Sequence, residues 1–63
     1  MSLDAWMTQR GMTDGEMADA IGVSREYVRL LRAGRRRPSA EVAQRIARFT
    51  DGMVDFEGER AEA

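Results

Sequence analysis

The chain has 63 residues, 43% of them hydrophobic, and a formal net charge of -1. A single domain of this size buries only about 60% of the surface its unfolded chain exposes, so a partner subunit or ligand is expected to help hold it together. With no Cys and no His, disulfides, the usual Cys/His zinc sites and His- or Cys-based catalysis are excluded; the expectation is a non-enzyme without metal or cofactor.

The net charge hides a strong segregation. Residues 1–23 set Arg10 against Asp4, Asp14, Glu16 and Asp19, for a charge of -3. Residues 24–50 carry eight arginines against Glu26 and Glu41, for +6, and residues 51–63 return to -4. Every basic residue is Arg, which suits bidentate contacts to phosphate or guanine; a GC-rich genome produces the same bias with no function attached. The longest apolar run falls far short of the roughly 20 residues that span a bilayer, and Asp4 interrupts any signal-peptide reading, so a cytoplasmic protein is expected.

In chain order, Ser2 can cap a first helix whose Leu3, Trp6 and Met7 form one apolar stripe, with Asp4 near its positive end and Gly11 as its stop. Thr13 followed by Glu16 is a capping box for a second helix, in which Met17 and Ile21 point inward and Ala18 permits a close crossing. Gly22 ends that helix, Val23 plugs the turn, and Ser24 caps the next, so three residues join two helices at a sharp angle. In the third helix Val28 and Leu31 face inward, and a step of about 100° per residue places Glu26, Arg29, Leu30 and Ala33 opposite them. Gly34 closes it, Arg35, Arg36 and Arg37 form a loop, and Pro38 stops helical continuation. Ser39 caps a fourth helix with Val42, Ala43, Ile46, Ala47 and Phe49 at helical spacing, and Gly52 is expected to end it. Met53-Val54-Asp55-Phe56 alternates enough for a short strand or an extended arm, and residues 57–63 are charged and expected to be disordered.

Ala18, Gly22, Val23, Val28 and Leu31 stand at the spacing of the phage Cro/cI repressor-like (XRE) helix-turn-helix family, whose motif here runs from Asp14 to Ala33. The chain resembles that family over roughly residues 3–50; it is shorter than most full-length members and is expected to be without their usual ligand or cleavage domain. The resemblance implies an all-α, lambda-repressor-like domain of four short helices. It also implies a recognition helix over residues 24–33 that lies in the major groove, its N-terminal part against base edges.

The outward set from helical geometry, with Ser24 and Arg25 at the helix start, coincides with the positions the family uses for reading bases, and the candidate readers are Ser24, Arg25, Glu26, Arg29 and Leu30. Arg25 and Arg29 are candidates for bidentate contact with guanine, each worth about 1–3 kcal/mol of discrimination. Glu26 can accept from a cytosine amino group, orient an arginine or complement the helix start. Leu30 suits a thymine methyl group; single exposed leucines are also common. Arg25, Arg29 and Arg32 lie three or four apart, where each like-charge pair costs about 0.2–0.5 kcal/mol, and a phosphate backbone offsets that repulsion more fully than solvent. Candidate phosphate contacts are Thr13 and Gly15 at the second helix start, the Tyr27 hydroxyl, Arg32, and Arg35, Arg36 and Arg37.

These features divide the chain into a helix-turn-helix domain over 1–52, an extended arm at 53–56 and an acidic tail at 57–63. The expected function is that of a bacterial or phage transcriptional regulator, a repressor, that binds a palindromic operator in double-stranded DNA as a homodimer. Phe49, Met53, Val54 and Phe56 are the candidate dimer contact. The alternative is an antitoxin-like or accessory protein-interaction module with DNA binding secondary.

Overall fold

The computed structural model describes residues 1–56; the tail expected to be disordered at 57–63 lies outside them. Four helices follow one another, α1 Leu3–Arg10, α2 Asp14–Ile21, α3 Arg25–Arg32 and α4 Ala40–Phe49. Each begins on a hydroxyl residue whose side chain accepts from a first-turn amide: Ser2 from Ala5, Thr13 from Glu16, Ser24 from Tyr27 and Ser39 from Val42. At α2 the box is reciprocal, with the Thr13 amide donating to Glu16 Oε1 at 2.9 Å and the Glu16 amide to Thr13 Oγ1 at 3.1 Å. Caps of this kind contribute about 1 kcal/mol each. That matters here because helices of eight to ten residues do not persist alone in water.

α3 ends as expected at Gly34, whose left-handed backbone lets its own amide donate to the Leu31 carbonyl and that of Arg35 to the Leu30 carbonyl. α4 ends differently from the expectation for Gly52. Asp51 is the first left-handed residue, with φ 59°, and Gly52 follows it in the same region.

The stripes read from the sequence meet in one core: Leu3, Trp6 and Met7 from α1, Met17, Ala18 and Ile21 from α2, Val28 and Leu31 from α3, and Val42, Ala43 and Ile46 from α4. α2 packs on both α3 and α4, and α1 on α3. Val23 is half-buried against this core. Phe49 departs from its expected inward stripe: it is 44% exposed and meets Trp6 only edge-on, at 5.7 Å between centroids.

The segment after α4 also departs from expectation. Among the described residues there is no strand, and the chain turns back at 51–54 instead of extending. Thr50 organises the reversal, its buried hydroxyl donating to the Ile46 carbonyl at 2.8 Å and accepting from the Val54 amide at 3.1 Å. Val54 is thereby drawn into the core at 2% exposure. The physical reason is that a lone extended segment has no ladder partner for its amides, whereas a turn on a buried hydroxyl pairs one amide and buries one more apolar side chain.

Candidate nucleic-acid interface

The relation of α2 to α3 is fixed at Gly22. Its φ of +75° is a left-handed value, and a β-carbon there would lie 3.2 Å from Arg45 Nη1. That same nitrogen donates to the Ile21 carbonyl at 3.2 Å, and Nη2 pairs with Glu41 at 2.6 Å. Arg45 therefore places a positive charge on the C-terminal end of α2, where unpaired carbonyls concentrate negative potential. On the sequence Arg45 is expected toward the end of the fourth helix, where a cation complements that helix's own dipole; its bond to the end of α2 joins residues 24 apart, and only the spacing of four from Glu41 signals the ion pair.

On α3, Ser24, Arg25, Glu26 and Arg29 are exposed at or after the N-cap, whereas Leu30 is half-buried. Arg29 is not a free cation. Its Nε donates to Glu26 Oε1 at 3.0 Å and its Nη2 to Glu26 Oε2. The hydrogen bond from Arg29 holds the Glu26 carboxyl below the usual glutamate range, and the same bond raises the Arg29 guanidinium. Both oxygens and the guanidinium fork are thus engaged with each other, one reading left open for Glu26 on the sequence. Arg25, by contrast, makes no hydrogen bond or ion pair among the described residues, and its stem lies against Gly15.

Arg32, expected at a phosphate, is placed elsewhere. Its Nε donates to Asp4 Oδ1 at 2.9 Å, its Nη1 to Asp14 Oδ1 at 2.8 Å and its Nη2 to Thr8 Oγ1 at 3.2 Å. The side chain is only 23% exposed, and the Asp14 bond, followed by Asp4, raises its guanidinium. One arginine from α3 thereby ties α1 to the first turn of α2, and the like-charge repulsion expected along α3 is relieved within the protein. Helical spacing could not show this, because Asp4 and Asp14 are 28 and 18 residues away in sequence.

Arg32 also alters the first turn of α2. Asp14 stands beside Thr13 and Gly15, where a free carboxylate would repel an anion, but its charge is engaged by Arg32. The cleft there, about 590 Å³, is lined by Thr13, Asp14, Gly15, Arg25, Glu26 and Arg29. A second, shallower cleft of about 270 Å³ is lined by Ser24, Glu26, Tyr27, Leu30 and Arg36. Tyr27 is half-buried, its hydroxyl oxygen accepting from the Ser39 amide at 3.3 Å, and the Arg36 guanidinium lies 5.0 Å from its ring centroid. Arg35, Arg36 and Arg37 are all exposed.

The four residues expected at a dimer contact do not share one environment. Phe49 and Met53 are exposed at 44% and 48%, Phe56 is partly buried against the core, and Val54 is inside it. Val54 can contact another molecule only if the turn held by Thr50 opens.

Two capped helices joined by three residues, the second presenting its polar face outward beside clustered arginines, constitute a helix-turn-helix domain. A helix-turn-helix family model matches residues 3–52, and the chain belongs to that family, of the Cro/cI (XRE) type. It is accordingly a DNA-binding helix-turn-helix regulator, in a family that is regulatory and not enzymatic. No curated protein and no solved structure matches the chain. Among the described residues, no helix is long and apolar enough to cross a membrane.

Proposed function

We propose that the chain is a cytoplasmic repressor of bacterial or phage origin that lays α3 in the major groove of a palindromic operator as a homodimer. The observation that carries this reading is a continuous surface. The cleft at the start of α2 and the cleft beside Tyr27 both include Glu26, so groups suited to phosphate flank the base-reading face on two sides. Phosphate contacts then set register while base edges supply sequence.

In this arrangement Arg25 and Arg29 read guanine, Glu26 either orients Arg29 or accepts from a cytosine amino group, Ser24 contacts a base edge at the start of the helix, and Leu30 meets a thymine methyl. The first-turn amides near Thr13 and Gly15 point toward a phosphate. The Tyr27 hydroxyl, whose oxygen already accepts from Ser39, keeps its proton for another. Arg35, Arg36 and Arg37 add non-specific attraction. Arg32 is left out of the contact set because it holds Asp4 and Asp14.

One α3 reads only a few base pairs, and two-fold pairing places half-sites about 34 Å apart. Phe49 and Met53, the exposed apolar side chains on and after α4, are the proposed dimer contact, with Phe56 at its edge. The test is selection of bound duplexes from a random pool. Enrichment of inverted repeats is expected, with a log-log salt slope of about -0.9 per phosphate neutralised. Weak binding without enriched sequence would overturn it. That result would favour the second reading, an antitoxin-like or accessory module, for which the same Phe49 and Met53 supply the partner surface.

A further inference from the structure

Gly15 occupies the first turn of α2, a helix of eight residues, yet glycine is less favourable in a helix than alanine. Its backbone is not in the left-handed region, unlike Gly11, Gly22, Gly34 and Gly52, so no turn requires it. What occupies the missing side chain's place is Arg25. A β-carbon at position 15 would lie 3.0 Å from Arg25 Cδ and 3.6 Å from Arg25 Cγ.

Arg25 is the first residue of α3. Among the described residues its guanidinium has no partner, so nothing polar steers it. The contact of its methylenes with Gly15 is what guides the side chain across the start of α2. We infer that Gly15 is a positioning residue for base recognition: the absence of its β-carbon lets the Arg25 stem lie across the start of α2, and this selects which base the guanidinium reaches. The inference rests on the proposed reading of α3 as the base-reading helix.

The obstructing atoms belong to a flexible, exposed side chain, so an alanine displaces Arg25 without disturbing backbone. Folding and recognition then move in opposite directions, which a merely structural role for Gly15 does not produce. In the complete chain, Gly15→Ala is expected to melt at the same temperature or higher. At the base position that Arg25→Ala identifies by its lost preference, Gly15→Ala should weaken discrimination about tenfold, within the range of one bidentate contact, and leave other positions alone. In an Arg25→Ala background, Gly15→Ala should change nothing further.

A readout without DNA accompanies these. Nuclear Overhauser contacts between the Gly15 Hα protons and the Arg25 Hδ protons are expected in the free wild-type protein, and their absence overturns the inference. So does wild-type base preference retained in Gly15→Ala, or an equal change when Arg25 is already gone. If the wild-type chain enriches no duplex at all, the function proposed above falls and the positioning role falls with it. Enrichment by wild type with unaltered preference in Gly15→Ala removes the positioning role alone.

Discussion

Replacing Arg32 by methionine keeps most of the aliphatic stem and removes the guanidinium that joins three helices. The magnitude follows from the partners. The Asp14 bond is 2.8 Å long between side chains 23% and 32% exposed, and a hydrogen bond to a charged group in such a setting contributes about 1.5–3 kcal/mol. The Asp4 carboxylate is 57% exposed, so that pair is screened and contributes about 0.2–1 kcal/mol. Against this, both freed carboxylates stay near helix N-termini and regain water. A net loss of about 2 kcal/mol results, and at roughly 4–8 °C per kcal/mol for a domain of this size the melting midpoint should fall by about 8–16 °C.

Circular dichroism melts measure that shift, and duplex titrations over a range of salt, at a temperature where both proteins are folded, measure the other side. A phosphate-contacting Arg32 would give the reverse pattern: an unchanged midpoint and a salt slope smaller by about 0.9. That pair of results would refute the clamp. Asp14→Asn should reproduce most of the destabilisation, and the double variant should be less than additive, because both substitutions remove the same bond.

Three further outcomes follow from single residues. Asp51→Gly relieves a left-handed φ of 59° and removes a carboxylate from the C-terminal end of α4, so unfolding should require about 1 kcal/mol more, read by urea titration. Thr50→Val leaves the Val54 amide buried without its acceptor, with an expected loss of about 1–3 kcal/mol and faster hydrogen exchange at Val54; Thr50→Ser should retain both bonds. Glu26 should titrate below the ordinary glutamate value in the free protein and return to it in Arg29→Ala, followed by side-chain carboxyl resonances. Because the folded value is depressed, the pair's support for α3 is complete above the ordinary value and disappears as pH falls through the lowered one.

What the sequence made legible was governed by local rules. Ser2, Thr13, Ser24 and Ser39 announce helix starts because an N-cap needs only residues three positions apart, and Gly22 and Gly34 announce stops because left-handed backbone favours glycine. The inward stripes follow from the same periodicity. The partners of Arg32 are not legible in the sequence, because a helical wheel shows which side chains share a face but not which carboxylates from other helices arrive there. Val54 was misplaced for a related reason: alternation in 53–56 resembles a strand, and the deciding bond comes from the Thr50 hydroxyl, which looks unremarkable at the end of a helix. Asp51 escaped notice because the neighbouring Gly52 offers the more usual stop.

The placement of Arg32 also explains how a chain with net charge -1 can present a basic surface. Carboxylates at the starts of α1 and α2 stabilise those helices through their dipoles, yet Asp14 stands in the cleft where a phosphate is proposed to approach. Arg32 reconciles the two demands by engaging both Asp4 and Asp14 from α3, so one of their two negative charges is offset at its source, most directly that of the less exposed Asp14. Arg45 is committed in the same inward sense, to the end of α2, and Arg29 is paired with Glu26 on the surface. The basic region is therefore smaller than the count of arginines in residues 24–50 implies. Arg25 is left without a charged partner beside Gly15, and Arg35, Arg36 and Arg37 stand exposed past the other end of α3. Under the proposed function, disrupting the Arg32 network would weaken DNA binding even though Arg32 touches no phosphate, because a released Asp14 would return negative charge to the cleft that Arg25 borders.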